Sequence, residues 1–278
     1  LRHAFALPKL TYFLRTSPCF KNTEILKKYD NAMRVAKTRI LNVGMEDSSW
    51  DQCSLPVRMG GLGVRTASEV SLPAYLSSVS ATFECITPLL PTYLRNEVNP
   101  FFAHATFQWS NLLSGEDLPI KKSVQAAWDI PLCKKRFENL LQSANTTEDK
   151  ARLMAVSSKH ASDWLNCVPL PSMSLKLSRQ SLRIAVALSL GSTICRFHKC
   201  HCKDKDTKQP ATVDIKGLHG LSCASAGGKG RIARHDCAND RIQRALASAN
   251  YHCILEPTGL LRDKRRPDGF SLYPYTEG

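Results

Sequence analysis

The stretch of sequence that decides the fold runs from Cys195-Arg196-Phe197-His198-Lys199-Cys200-His201-Cys202 to His219-Gly220-Leu221-Ser222-Cys223. The first segment ends in a Cys-x-Cys pair, and the second segment is a His-x-x-x-Cys pair. Thiolates and imidazoles in two short pairs, joined by a loop of variable length, are the donors of a tetrahedral structural zinc site. The sequence therefore predicts a zinc site whose four ligands are Cys200, Cys202, His219 and Cys223.

The loop between the two pairs, residues 203–218, is polar and alternates lysine with aspartate over part of its length. Such a loop cannot bury itself, so a bound metal is expected to hold its ends together. The two cysteines of a Cys-x-Cys pair are closer in sequence than those of the commoner Cys-x-x-Cys. Because of this short spacing, one of the four ligand positions remains open. The competitors for that position are Cys195, His198 and His201.

The sequence contains 11 cysteines, and its beginning has no secretory signal, because Arg2 and His3 are not followed by a cleavable apolar core. We expect a nuclear or cytoplasmic protein that is not secreted, in which cysteines stay reduced and metal binding is favoured over disulfides. Cysteines outside the two pairs are interpreted as core thiols where they lie among apolar residues. These are Cys19, Cys53, Cys85, Cys133 and Cys167.

The chain carries a formal net charge of +14 over 278 residues. A basic excess of this size is typical of proteins with a polyanionic partner, either nucleic acid or an anionic membrane surface. No apolar run reaches the roughly 18 residues that a membrane-spanning helix needs. We therefore expect DNA and RNA as partners and no membrane, while the sequence does not indicate an oligomeric state.

The order of motifs in the last third of the chain carries a resemblance to a known family. After the Cys-x-Cys pair come HGLSC at 219–223, RH at 234–235, ND at 239–240, EPTGL at 256–260 and RRPDG at 265–269. This order resembles the C-terminal part of non-LTR retrotransposon reverse transcriptases that carry a restriction-like endonuclease. In that family a Cys-Cys-His-Cys knuckle lies just before a nuclease of the PD-(D/E)xK type.

Two segments nearer the start of the chain add to this resemblance. Residues 1–17, LRHAFALPKLTYFLRTS, and residues 55–65, LPVRMGGLGVR, resemble the thumb that follows the polymerase palm in the same family. The resemblance spans nearly the whole chain and is weakest at residues 100–153. One departure lies at Lys203, where the family usually has glycine after the second cysteine. The chain begins with Leu1, and we expect it to be a piece of a longer protein.

The resemblance implies an endonuclease site in which carboxylates hold Mg²⁺, and Mg²⁺ is also implied for the parent polymerase. The candidate catalytic residues are Asp268, Asp240 and Glu256. In the family a second acidic residue and a lysine follow the aspartate that corresponds to Asp268, but here only Glu277 follows as an acidic residue. We therefore expect the site to be incomplete and this chain to be inactive. Pro-Asp-Gly is also a turn sequence, and that interpretation remains open.

Basic residues recur at helical spacing in two places. A helix predicted over residues 23–43 has an apolar side and a basic side, and a helix over 231–250 carries outward arginines. Such charges usually belong to a solvated helix face, whereas in a polymerase thumb they contact phosphates along a template–primer duplex. The predicted nucleic-acid contacts are Lys27, Lys28, Arg34, Lys37, Arg234, His235, Arg241 and Arg266.

The expected fold is mainly α-helical, followed by a small zinc knuckle and a truncated α/β PD-(D/E)xK-type nuclease segment. The predicted divisions are thumb-like helices at 1–99, a helical linker at 100–194, the knuckle at 195–224 and the nuclease segment at 225–278. Further helices are predicted at 66–85, 124–128, 133–143, 145–164 and 175–190, and strands at 251–255 and 270–273. The glycines of residues 55–65 are interpreted as structural, because the lysine and hydroxyl residue of a phosphate-binding loop are missing.

Three classes of function follow from these observations. The first is a nucleic-acid-binding C-terminal fragment of a retrotransposon reverse transcriptase/endonuclease, whose parent copies RNA into DNA at a nicked target. The second is a non-catalytic host zinc-dependent DNA-binding module. The third is a helical interaction protein whose positive charge only keeps it in solution. Steep dependence of nucleic-acid binding on salt would separate the first two classes from the third.

Overall fold

The computed structural model of the chain describes residues 7–94, 100–115, 117–171, 175–203, 208–223, 229–259 and 267–271. Within these ranges the protein is mainly α-helical, with two small two-stranded sheets. The expectation of a mainly helical fold is confirmed, while the nuclease fold stays a prediction. The chain divides into two compact units, Leu1–Ile194 and Cys195–Gly278. Among the described helices, none combines the length and the apolar character needed to cross a membrane.

The described residues of the first unit form eight α-helices. These are α1 Leu7–Thr16, α2 Thr23–Leu41, α3 Asp47–Ser54, α4 Ala67–Ile86, α5 Pro100–Leu112, α6 Gln125–Ser143, α7 Thr147–Ser157 and α8 Arg179–Leu190. Short 3-10 helices lie at Cys19–Lys21, Val57–Met59, Thr87–Leu89, Thr92–Leu94 and Asp163–Leu165. The prediction missed α3 and divided α6 in two at Pro131, which the helix includes.

Helix α4 packs against α1, α2, α5 and α6 in the first unit. Three of its buried residues, Leu72, Tyr75 and Leu76, belong to a cluster with two tryptophans. The rings of Trp109 and Trp128 meet edge to face with centroids 5.2 Å apart, and Trp109 Nε1 donates to the carbonyl of Trp128 at 2.8 Å. A neighbouring cluster contains Leu14, Leu26, Ala67, Val70 and Ala74.

The N-terminus of α4 is capped by a residue of another helix. The carboxylate of Asp30, in α2, accepts hydrogen bonds from the backbone N–H groups of Ala67 at 2.7 Å and Ser68 at 3.0 Å. These are two of the N–H groups that a helix start leaves without an internal partner. Thr66, the residue before the helix, does not supply a cap, because its buried hydroxyl has no hydrogen-bond partner among the described residues.

The glycine-rich loop at residues 55–65 is a tight turn. A Cβ on Gly61 would lie 2.1 Å from the carbonyl oxygen of Leu55, and Gly60 has a φ of +79°. A side chain at Gly61 would collide with this backbone, and Gly60 lies in the left-handed region that favours glycine. The interpretation of these glycines as structural is confirmed.

A buried glutamine connects this loop to three helices. Gln52, in α3, is 1% exposed, and its Nε2 donates to the carbonyls of Gly60 at 2.9 Å and Ser189 at 3.0 Å. Its Oε1 accepts a 2.7 Å hydrogen bond from Nη1 of Arg152, in α7. Arg152 also donates to the carbonyl of Ser189, in α8. The amide is therefore fully used in holding the loop, α3, α7 and α8 together.

The cysteines outside the metal-ligand pairs do not all lie in the core. Cys53 and Cys133 are buried, as expected, and Cys19 is half-buried. Cys85 and Cys167 are exposed, which corrects their interpretation as core thiols. Cys85 lies near the end of α4, beyond the part of the helix that its neighbours cover.

The described residues of the second unit form two hairpin-like pairs and two helices. Their bounds are β1 His198–Lys203, β2 Pro210–Val213, α9 His219–Ser222, α10 Lys229–Ser248, β3 Cys253–Leu255 and β4 Gly269–Ser271. Strand β1 pairs antiparallel with β2, and β3 pairs antiparallel with β4. The strand predicted at 251–255 corresponds to β3. The one predicted at 270–273 overlaps β4, and residues 272–273 lie outside the described ranges.

Candidate metal centre

Four soft or borderline donors converge in the second unit. The ligand atoms of Cys200, Cys202, His219 and Cys223 all lie within 4.8 Å of one another. Cys200 Sγ is 3.6 Å from Cys223 Sγ, and Cys202 Sγ is 3.2 Å from His219 Nε2. The structure thus brings together the same four residues that the spacing in the sequence predicted as ligands.

An irregularity in the β1–β2 ladder lets both cysteines of the Cys-x-Cys pair reach this cluster. Lys199 lies opposite Thr212 and Lys203 opposite Pro210, so that Cys200–Cys202 faces the single residue Ala211. In a regular strand, side chains two residues apart are separated by about 6.8 Å. A bulge bends the strand locally, and here the two sulfurs lie within 4.8 Å of each other. The bulge therefore accounts for the tight bite of the pair.

The second half of the cluster lies on the short helix α9. His219 is its first residue and Cys223 follows its last, so the two are four residues apart and lie on one face of the turn. The turn that enters α9 is held by Asp214, whose Oδ1 accepts from the N–H of Leu218 at 3.2 Å. Gly217, between them, has a φ of +65°, which only glycine adopts at little cost.

The three competing ligands lie outside the cluster. The Cys195 thiol donates to the carbonyl oxygen of Asp214 at 3.2 Å. His198 Nδ1 lies 2.8 Å from the carbonyl oxygen of Arg196. His201, between the two cysteines, is exposed. The position that the sequence left open is thus filled by the fourth member of the predicted set, and not by a neighbour.

The donor set and its dimensions fit a metal ion. Zinc–sulfur bonds of about 2.3 Å in a tetrahedron place two sulfurs about 3.8 Å apart, close to the 3.6 Å between Cys200 and Cys223. Burial, with the neighbouring cysteines, raises the pKa of Cys202 to about 11. Hydrogen bonds from Cys202 lower the pKa of Cys200. The four residues can hold a metal ion, and their geometry is consistent with zinc.

A second polar group forms between α10 and the β3–β4 pair. His235 Nε2 lies 3.6 Å from Glu256 Oε1, 3.5 Å from Asp268 Oδ1 and 3.1 Å from Asn239 Nδ2. The ligand atoms of His235, Asp236 and Glu256 lie within 4.8 Å of one another, although all three side chains are exposed. Two of the candidate catalytic residues, Glu256 and Asp268, therefore lie around one imidazole.

The third candidate, Asp240, lies elsewhere on α10. Its carboxylate pairs with Arg244 of the next turn, at 3.0 Å. Successive helical residues are rotated by about 100° around the helix axis. Asp240 therefore lies on a different face of α10 from His235 and Asn239. It lies outside the group around His235, and its place in a nuclease site stays a prediction. His235, predicted as a nucleic-acid contact, is the centre of that group.

Only part of the predicted basic face of α2 is exposed. Lys27 and Lys28 are exposed, and Lys27 lies 3.7 Å from Glu24. Arg34 donates to Asp47 at 2.6 Å and to the carbonyl of Met45 at 3.1 Å. Lys37 is 4% exposed. These positions correct the prediction for Arg34 and Lys37, because the Arg34 guanidinium is held by Asp47 and Met45 and the Lys37 side chain is buried.

The predicted contacts in the second unit also differ in their surroundings. Arg234 is exposed, but its guanidinium donates to the carbonyl of Leu221 and so ties α10 to the end of α9. Arg241 is exposed on α10. Arg266 lies outside the described residues. Helical spacing in the sequence did not indicate the exposed cations of β1, Lys199 and Lys203, which flank the two cysteines in HKCHCK.

The sequence matches no known protein family, and a comparison with curated proteins finds no match either. The function is therefore inferred from the chemistry of the chain itself. Three features bear on it: the Cys/His cluster, the group around His235 and the net charge of +14.

Proposed function

We propose that the chain is a zinc-stabilised nucleic-acid-binding protein. The single observation that carries this proposal is the convergence of Cys200, Cys202, His219 and Cys223 in a chain with a net charge of +14. Three thiols and one imidazole favour zinc over Mg²⁺ or Ca²⁺, which take oxygen ligands. Such a closed set of four protein donors is typical of a structural site and not of a catalytic one.

The small apolar interior of the second unit supports a structural role for the metal. Among its described residues the buried ones are Cys202, Val213 and Asn239. So little buried surface contributes only a few kcal/mol at about 25 cal/mol per Å². Metal binding supplies folding free energy where a hydrophobic core is small. Zinc would therefore fix the β1–β2 pair and α9 as one unit.

Charge supports a nucleic-acid partner. Exposed cations occur in both units, among them Lys27, Lys28, Arg241 and the two lysines of β1. A polyanion gains affinity from such cations through release of its counterions. The resemblance to retrotransposon reverse transcriptases with an endonuclease agrees with this partner, and we infer descent from that family. The parent activity, DNA synthesis on RNA at a nicked target, belongs to this proposal.

The group around His235 favours this kinship over the alternative of a host DNA-binding module. Nucleases with metal ions need carboxylates that converge on a divalent cation. Glu256 and Asp268 both lie within 3.6 Å of the His235 imidazole, at the end of the β3–β4 pair where Glu256 follows β3 and Asp268 precedes β4. A DNA-binding module with no nuclease ancestor has no need of this arrangement.

The test combines metal analysis with binding measurements on the full chain. We expect one zinc per chain, and binding of duplex and single-stranded DNA and RNA that weakens linearly with the logarithm of salt concentration. Cys200→Ser should lose zinc, while the matched control Cys195→Ser, next to the site but outside it, should keep it. A zinc-free wild type would overturn the metal assignment. Negligible affinity for every nucleic acid at low salt would contradict nucleic-acid binding and favour the third class of function, a helical interaction protein.

A further inference from the structure

The face of β1 turned away from the metal cluster carries cations and an aromatic ring. Cys200 is half-buried and Cys202 is buried, whereas Lys199, His201 and Lys203 are exposed. Phe197, just before the strand, is 64% exposed. Phe197 comes two residues before Lys199 in the sequence. An aromatic ring and two ammonium groups therefore line one exposed edge of the unit.

The exposed edge of β1 is fixed by contacts with β2 and by the metal cluster. Lys199 Nζ donates across the pair of strands to Thr212 Oγ1 at 3.0 Å. The bulge between Lys199 and Lys203 is fixed by Cys200 and Cys202, whose sulfurs belong to the metal cluster. Within the described part of the chain, neither ammonium group forms an ion pair with a carboxylate. Both lysine side chains are exposed.

We propose that this edge binds single-stranded nucleic acid, with Lys199 and Lys203 on phosphates and the ring of Phe197 stacked on a base. The proposal rests on the proposed function and names the surface and the form of nucleic acid. Cations alone would serve a duplex equally well. An exposed phenylalanine favours the single strand, because a duplex hides the faces of its bases in the stack while a single strand offers them.

The experiment measures anisotropy of a labelled oligothymidylate and of a labelled duplex with the zinc-loaded full chain. Phe197→Ala should lower affinity for the single strand about tenfold, because stacking is worth about 1–3 kcal/mol per base, with little effect on the duplex. The double variant Lys199→Gln/Lys203→Gln should lose two phosphate contacts. The slope of log K against log salt concentration should therefore become shallower by about 1.4, since each contact contributes about 0.7.

Matched controls come from the first unit. Phe107→Ala removes a ring of equal exposure, 65%, and Lys150→Gln/Lys159→Gln removes two exposed charges. Both controls should bind the single strand as the wild type does, and every variant should retain its zinc. The proposal is overturned if Phe197→Ala binds oligothymidylate as tightly as the wild type, or if Phe107→Ala loses as much affinity.

Two further outcomes separate this inference from the proposed function. If the chain binds nucleic acid with a steep salt dependence but the β1 variants are indistinguishable from the wild type, this inference fails and the proposed function stands. If vesicles of phosphatidylcholine and phosphatidylserine bind the chain, and compete with oligothymidylate in a Phe197-dependent way, the edge is a lipid-binding surface and the proposal is overturned.

Discussion

The sulfur atoms of Cys200 and Cys223 lie 3.6 Å apart, although one belongs to a bulged strand and the other follows a short helix. Both cysteines are free, so no disulfide holds these two elements together. Two thiols at this distance are typical of neighbouring ligands of one metal ion. The contact is therefore the point at which metal binding and folding of the second unit are most directly linked.

Replacement of Cys223 by serine should release the metal. We expect zinc affinity to fall by more than the roughly 100-fold that loss of a supporting residue outside the ligand set costs. Residues 195–223 should become sensitive to protease, because their buried apolar surface is small. Zinc content and limited proteolysis measure these effects. The control Cys195→Ser should keep both zinc and protection, and an unchanged zinc content in Cys223→Ser would contradict the ligand assignment.

Zinc binding should release protons, and affinity should rise with pH. The pKa of Cys202 is raised to about 11, so its thiol is protonated at neutral pH and must lose that proton to become a ligand. Each proton released makes affinity rise about tenfold per pH unit below the pKa of the group that loses it. Calorimetry in two buffers of different ionisation enthalpy counts the protons. Affinity that stays constant across neutral pH would contradict this expectation.

Replacement of Gln52 by alanine should destabilise the first unit. The change removes both donors to the carbonyls of Gly60 and Ser189 and leaves Arg152 without its amide acceptor. Loss of several buried hydrogen bonds should lower the free energy of unfolding by about 2–4 kcal/mol. Urea unfolding measures this. The exposed Gln142 of α6 offers a control, since Gln142→Ala should stay within about 0.5 kcal/mol of the wild type.

The cysteines of the first unit should differ sharply in reactivity. Burial raises the pKa of Cys53 to about 12, and burial also raises that of Cys133, so neither forms a thiolate readily. Cys85 and Cys167 are exposed. Iodoacetamide followed by peptide mass spectrometry should modify the exposed pair first and the buried pair only after denaturation. Equal rates for Cys53 and Cys85 would show that α3 is not packed as described.

Metal-dependent nicking of duplex DNA should be absent. The described residues place Glu256 and Asp268 near His235, but Asp240, the third candidate, pairs with Arg244 instead. A nuclease of the implied type needs a further carboxylate and a lysine around the metal ion. A supercoiled plasmid incubated with Mg²⁺ or Mn²⁺ provides the measurement. Robust nicking that Asp268→Ala abolishes would contradict this prediction.

The metal cluster could be predicted from the sequence because its chemistry is local. Two short pairs of Cys and His residues identify four donors, whatever the surrounding fold. The bulge that makes the Cys-x-Cys bite possible could not be predicted, since it depends on how β1 pairs with β2. The same limit applied to the start of α4, because its cap, Asp30, lies on another helix and is not indicated by any local sequence pattern.

The basic face of α2 shows why helical spacing alone was insufficient. Periodicity places Lys27, Arg34 and Lys37 away from the main apolar stripe, but it does not say how many sides of the helix are covered. In the structure the Lys27 side chain is exposed, whereas Lys37 is buried. The same holds for α10, because the sequence does not show which face of this helix packs against the β3–β4 pair. In the structure that face carries His235, which lies beside Glu256 and Asp268, and not Asp240.

The bulge at Cys200–Cys202 also sets what kinds of sequence change this region tolerates. Its middle residue, His201, is exposed, and the metal cluster makes no demand on that side chain. Shortening the segment by one residue would restore a more regular ladder and turn the two sulfurs to opposite sides of the strand. The identity of residue 201 can therefore vary, whereas its deletion would disrupt the metal cluster as surely as replacement of Cys200 or Cys202.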